Sequence, residues 1–178
     1  MPKPTLAAAA ACALLLSGCG KPAPQAPIKR QPGSWTQKVD LLKLEGKGAD
    51  PKAKATMQQM FDSLSRISLC VTPDAAARED ITADFANAGG GMNCTFDKHS
   101  VSGEAIEASG TCSGGPEPAR ISVKGTSGAT AQDIMIAIEA LDPKAPGAGG
   151  MVMHVTTRRM GACTAHDLKP PAPVPAAK

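Results

Sequence analysis

The chain has 178 residues and a formal charge of +3 at pH 7, with 42% hydrophobic residues but only 2% aromatic ones and no tyrosine. Its small and scattered basic excess excludes the positive stripe that nucleic-acid binding requires. The longest apolar run is well short of the ~20 residues that a membrane-spanning helix takes.

The first element in chain order is an export signal. Lys3, the apolar and mostly small run from Leu6 to Leu16, and then Ser17, Gly18 and Cys19 follow the order of a basic region, a short apolar region and small residues before a cut. Leu16-Ser17-Gly18-Cys19 resembles the lipobox of bacterial lipoproteins, in which the chain is cut between Gly18 and Cys19 and the cysteine thiol carries a diacylglyceryl group. Residues 1–18 are therefore expected to leave as a signal peptide, taking Cys12 with them. Two or more acyl chains, at ~0.8 kcal/mol per buried CH₂, are enough for stable anchoring. By resemblance to lipoprotein sorting signals, Gly20 after the lipid cysteine implies the outer membrane and a domain facing the periplasm.

Residues 19–32 read as the lipidated cysteine and a tether, since Pro22, Pro24, Pro27 and Pro32 stand among residues too small or polar to form a core. Polyproline geometry, at ~3.1 Å per residue, makes this a semi-rigid spacer of about 40 Å. Residues 33–166 are then one domain. From Trp35 to Glu45, the side chains of Trp35, Val39 and Leu41 share one face at period two, which predicts a half-buried strand. Asp50-Pro51 supplies an N-cap and a first-turn proline, and Met57, Met60, Phe61, Leu64 and Ile67 follow at helical spacing. That stripe reads as core.

Thr72-Pro73-Asp74 repeats the capping chemistry and opens a second helix, whose buried side is marked by Ile81 and Phe85 and which Gly89-Gly90-Gly91 ends. Alternation takes over after it, through Cys94 and Phe96, then Ile121 and Val123, then Ile134, Ile136 and Ile138, and then Met151, Met153 and Val155, with Gly- and Pro-rich turns between. The prediction is an α+β domain: an antiparallel β-meander of about five to six strands with two helices. Residues 167–178, rich in Pro and Ala, read as a disordered tail.

Four cysteines remain after processing: Cys70, Cys94, Cys112 and Cys163. An even count in an exported chain reads as two disulfides, for which three connectivities are open. We take Cys94 with Cys112 and Cys70 with Cys163. The rival reading is a zinc site, but Cys163 and His166 form the one short Cys/His pair, and the usual two-cysteine spacing is missing.

Pro32-Gly33-Ser34-Trp35 at the start of the domain, Cys70-Val71-Thr72-Pro73 after a Met-rich helix, the central Cys94 and Cys112, and the closing Arg159-Met160-Gly161-Ala162-Cys163 together resemble the bacterial family named domain of unknown function 3617. The likeness runs from Pro32 to Cys163 and departs from the family in lacking aromatic residues in the later strands. It implies a small secreted or lipid-anchored protein of Gram-negative bacteria and assigns no activity.

Catalysis needs convergent polar groups. The candidate bases are His99 beside Asp97, His154 between Met153 and Val155, and His166 beside Asp167, and no Gly-x-Ser-x-Gly elbow accompanies them. His154 is placed on the outer face of a strand. The glycine run Gly89–Gly91 precedes a strand and lacks the Gly-Lys-Ser/Thr of a phosphate loop. Arg158-Arg159 could meet lipid headgroups, although such pairs at strand ends are commonly solubilising. The reading is a lipid-anchored envelope protein, a non-catalytic binding or structural module without cofactor or metal, whose partners are the membrane and an envelope protein or ligand. The alternative is a small periplasmic hydrolase with a site around His99 or His166.

Overall fold

A computed structural model describes residues 25–47, 49–79, 93–114, 117–145 and 148–169. Its elements are β1 (Gly33–Gly46), α1 (Pro51–Leu64), β2 (Ser68–Val71), α2 (Pro73–Arg78), β3 (Asn93–Ser102), β4 (Ala105–Ser113), β5 (Ala119–Ser127), β6 (Ala131–Ala140) and β7 (Gly149–Gly161). The seven strands form one antiparallel sheet in the order β2-β1-β7-β6-β5-β4-β3. The meander is thus one or two strands longer than the sequence predicts. The additional strand is β2, whose four residues Ser68–Val71 are too few to show a period and lie between two helical patterns.

Register explains the two faces. Leu41, Met153, Ile136, Val123 and Ala108 lie in one row across β1, β7, β6, β5 and β4, and Val39, Val155 and Ile134 lie in the next. Side chains two apart share a face, so this face is continuously apolar. Ala108, Val123 and Ile134 form its buried centre, with Phe96, Ile121 and Ile136 packed against them. The opposite face carries cross-strand and same-strand ion pairs, Lys38–Asp40 at 2.7 Å, Lys43–Glu45 at 2.9 Å and Lys98–Glu107 at 2.7 Å. Aliphatic side chains do the packing that aromatic ones do elsewhere. Gly125 allows the close approach of β5 and β6, because a Cβ there would stand 2.0 Å from the carbonyl oxygen of Asp133.

A second, smaller cluster joins Trp35, Val71 and Ala76, so α2 is held by its one buried residue at the β1–β2 end of the sheet. Thr72 caps α2 by accepting from the Ala75 N–H at 3.1 Å. Ile81, Phe85 and Gly89–Gly91, expected to continue this helix and end it, lie outside the described residues.

The position of α1 corrects the sequence reading. Asp50 caps it as expected, accepting from the Ala53 N–H at 2.7 Å, yet none of its residues is buried, and it stops at Leu64, before Ile67. The helix borders the edge of β1. Beyond Thr36, β1 has no pairing with β2. There the Gln58 side chain accepts from the Leu41 N–H at 2.7 Å and donates to the Val39 carbonyl at 2.9 Å, while Lys54 Nζ donates to the Leu42 carbonyl at 2.8 Å. Polar side chains satisfy an edge that would otherwise offer free backbone groups to another strand. The Met and Leu stripe was expected in the core and is left half covered as a result.

Both ends of the domain run past the expected limits of residues 33 and 166. Gln25 and Ile28, placed by sequence in the tether, exchange backbone hydrogen bonds with Gly103 at 3.2 Å, and the Gln31 N–H donates to Ala129 O at 2.8 Å. Leu168 was placed in the tail, but it accepts from the Cys70 N–H at 2.7 Å and donates to Ser68 O at 2.8 Å. Composition does not register these attachments because backbone groups make them. The described structure stops at Lys169, so the rest of the tail lies outside it, as does everything before Gln25.

Disulfides join Cys70 to Cys163 and Cys94 to Cys112, with Cα atoms 5.2 Å and 4.0 Å apart. Cys94 and Cys112 are direct partners in the β3–β4 ladder, and Cys163 follows β7 to meet the short strand β2.

Candidate functional site

The first residue of the site is Trp35. Its place at the start of β1 points the indole toward α2, leaves it only 3% exposed, and lets Nε1 donate to the Gln31 carbonyl at 3.0 Å. A buried indole N–H needs such a partner, and the docked N-terminal segment provides it. Arg30, from the same segment, stands with its guanidinium carbon 5.4 Å from the indole centroid, within the range of a cation–π contact. Its Nε pairs with Glu79, and its backbone N–H also donates to that carboxylate at 3.2 Å. The arginine is thereby fixed at both ends.

Next to this pair lies a cavity of about 260 Å³ lined by Arg30, Trp35, Leu64, Ile67, Leu69 and Leu168, with Thr36, Gln37 and Thr157 completing it. Its apolar walls are open to solvent: Leu64 is 44% exposed, Ile67 42%, Leu69 38% and Leu168 56%. Met60, 54% exposed one turn before Leu64, extends the surface along α1. Ligand sites combine apolar walls with a few placed polar groups, and this groove has that composition. It can accept an apolar group, held by contact and area, with one cation already neutralised by Glu79.

A buried carboxylate fixes the far wall. Asp167 accepts from Ser34 Oγ at 2.9 Å, from Ser68 Oγ and from the Thr164 N–H at 2.6 Å. The Ser68 hydroxyl and then the Thr164 N–H, with Ser34 behind them, hold its carboxyl below the usual carboxylate range against the opposing effect of burial. Because Asp167 precedes Leu168, the same bonds fix the groove wall.

The residues singled out by sequence do not converge on this site. Gly18 and Cys19, read as the cleavage and lipid sites, lie outside the described residues. His154 is on the polar face, with Nε2 2.8 Å from Asp133 Oδ1. His99 is exposed on the edge strand β3, and His166 is exposed beside the Cys163 disulfide, its N–H donating to Thr164 Oγ1 at 3.3 Å. Cys163 is committed to sulfur, so the Cys163–His166 pair is not a ligand pair. Among the described residues no group of three His, Cys, Asp or Glu side chains could hold a metal ion, and no helix is long and apolar enough to cross a membrane. Sequence reasoning missed Arg30, Leu69 and Leu168 because it assigned Arg30 to a spacer, Leu69 to a gap between helices and Leu168 to a tail. Arg30 and Trp35 within five residues were the available signal.

The family described as "Protein of unknown function (DUF3617)" matches this chain over residues 30–163. Neither the curated proteins nor the solved structures contain a match.

Proposed function

The chain belongs to the DUF3617 family, and on that premise we propose that it is a lipid-anchored protein of the bacterial cell envelope that binds an apolar group in the groove beside Trp35. The Leu16-Ser17-Gly18-Cys19 sequence supports the anchor, with Cys19 as the acylated N-terminus of the mature protein in the outer membrane. One observation carries the binding role: four exposed leucine and isoleucine side chains converge on a cavity of about 260 Å³ instead of being scattered singly. The domain is a binding module, and its disulfides suit an oxidising compartment.

Intact mass and non-reducing peptide mapping of the protein extracted from its native membrane test the anchor. An acylated Cys19 and no free thiols are expected, and an unmodified N-terminus refutes the anchor. The groove is tested with an environment-sensitive naphthylamine dye. Emission is expected to rise on binding to the native protein and to be lost in Ile67→Glu, whose exposed position leaves folding intact. Equal dye emission in both proteins refutes the groove.

A further inference from the structure

The docked N-terminal segment determines which part of the domain meets the membrane. Residues 25–32 run along one end of the sheet. Gln25 bonds to Gly103 in the β3–β4 turn, Gln31 to Ala129 in the β5–β6 turn, and the Pro32 carbonyl accepts from Arg159 Nε at 2.8 Å. If Cys19 carries the lipid, which is the reading proposed above, only the chain from Cys19 to Gln25 is available as a leash. At ~3.6 Å per residue, those roughly six steps span at most about 22 Å. The β3–β4 turn therefore cannot leave the neighbourhood of the headgroups.

The surface at that end suits such a place. Met160, displaced into a bulge where the β1–β7 register shifts, is 66% exposed, the largest value for a large hydrophobic side chain among the described residues. Arg158 and Arg159 precede it, and Lys29 and Arg78 are exposed on the neighbouring N-terminal segment and α2. Asp74, Glu104 and Asp133 are exposed acidic groups there, Asp133 being paired with His154, and Glu79 is engaged by Arg30. An apolar side chain set among cations is the composition that inserts at the headgroup level of an anionic bilayer.

We infer that the end of the sheet carrying Arg158, Met160 and the β3–β4 and β5–β6 turns rests on the lipid headgroups of the membrane that holds Cys19, with the strands rising from it. The opposite end then faces away. Leu141, 47% exposed just past β6, stands about 30 Å from the Ala131 end, given the 10 residues of that strand at ~3.3 Å each.

The test uses the acylated mature protein in vesicles of phosphatidylethanolamine with a minor fraction of phosphatidylglycerol, prepared with and without brominated acyl chains. Met160→Trp and Leu141→Trp are compared, since buried Trp35 contributes the same background to both. The added emission of Met160→Trp is expected to shift to the blue and be largely lost in brominated vesicles, while that of Leu141→Trp persists. Intact mass and co-flotation are read on the same samples. Acylated, vesicle-bound protein whose Met160→Trp emission ignores bromination overturns the orientation alone, as does equal quenching at both positions. An unmodified Cys19 with no co-flotation overturns the anchor and the orientation together.

Discussion

Replacing each disulfide by an alanine pair separates two contributions that the native protein combines. Cys70 and Cys163 are 93 residues apart and Cys94 and Cys112 are 18 apart. In the chain-entropy account, the stabilisation comes from restricting the unfolded chain and grows with the logarithm of loop length, giving about 4.7 kcal/mol for the longer loop and about 3.2 kcal/mol for the shorter. The packing loss is similar in the two variants, because each pair has one buried cysteine, Cys70 at 5% and Cys112 at 3% exposure. The difference, about 1.5 kcal/mol, therefore isolates the loop term. Urea unfolding of the native protein and of Cys70→Ala/Cys163→Ala and Cys94→Ala/Cys112→Ala, extrapolated linearly to water, reads it directly. The long-loop variant should be the weaker, and both should show a steeper urea dependence as the unfolded chain expands. Equal losses, or a larger loss on opening the β3–β4 hairpin, would refute the reasoning and place the stabilisation in native-state contacts.

Trp35→Ala should cost ~3–5 kcal/mol, since it empties the buried cluster with Val71 and Ala76, and should also abolish dye binding in the adjoining groove. Gly125→Ala should cost ~1–3 kcal/mol by forcing β5 from β6, read as a lower urea midpoint; an unchanged midpoint would mean the strands can separate freely. Asp167 contributes pH dependence. Its folded carboxyl titrates below the ordinary aspartate value of ~3.9, so its contribution is present above that value and is lost as pH falls through the folded value. Asp167→Asn should flatten the acid limb of the stability curve, while the similarly lowered Asp97 and Glu107 keep their share. An acid limb unchanged in Asp167→Asn would remove the residue from that account.

What was legible in the residues was whatever repeats along the chain. Trp35, Val39 and Leu41 at period two, and the isoleucine and methionine alternation of β6 and β7, placed the apolar face, because a strand puts alternate side chains on one side. The Asp50-Pro51 and Thr72-Pro73 starts were legible for a local reason, each being a side chain bonded to a backbone N–H three residues on. The stripe on α1 misled because periodicity shows that a helix has an apolar side and does not show what covers it. Gln58 and Lys54 reach an edge whose need for partners arises only when β2 proves shorter than β1.

By itself the sequence determined an antiparallel sheet with capped helices and an even set of cysteines. These are properties of composition and of residues a few positions apart. Only the tertiary structure decided that β2 pairs with the first residues of β1 and that Gln25–Pro32 and Asp167–Leu168 belong to the domain. It alone joined Arg30, Trp35, Leu64 and Leu168 around one groove. The physical reason is the same in each case: the partners are backbone groups or side chains far apart in the chain, and a one-dimensional pattern carries no record of which distant groups the folded sheet brings within a hydrogen bond of one another.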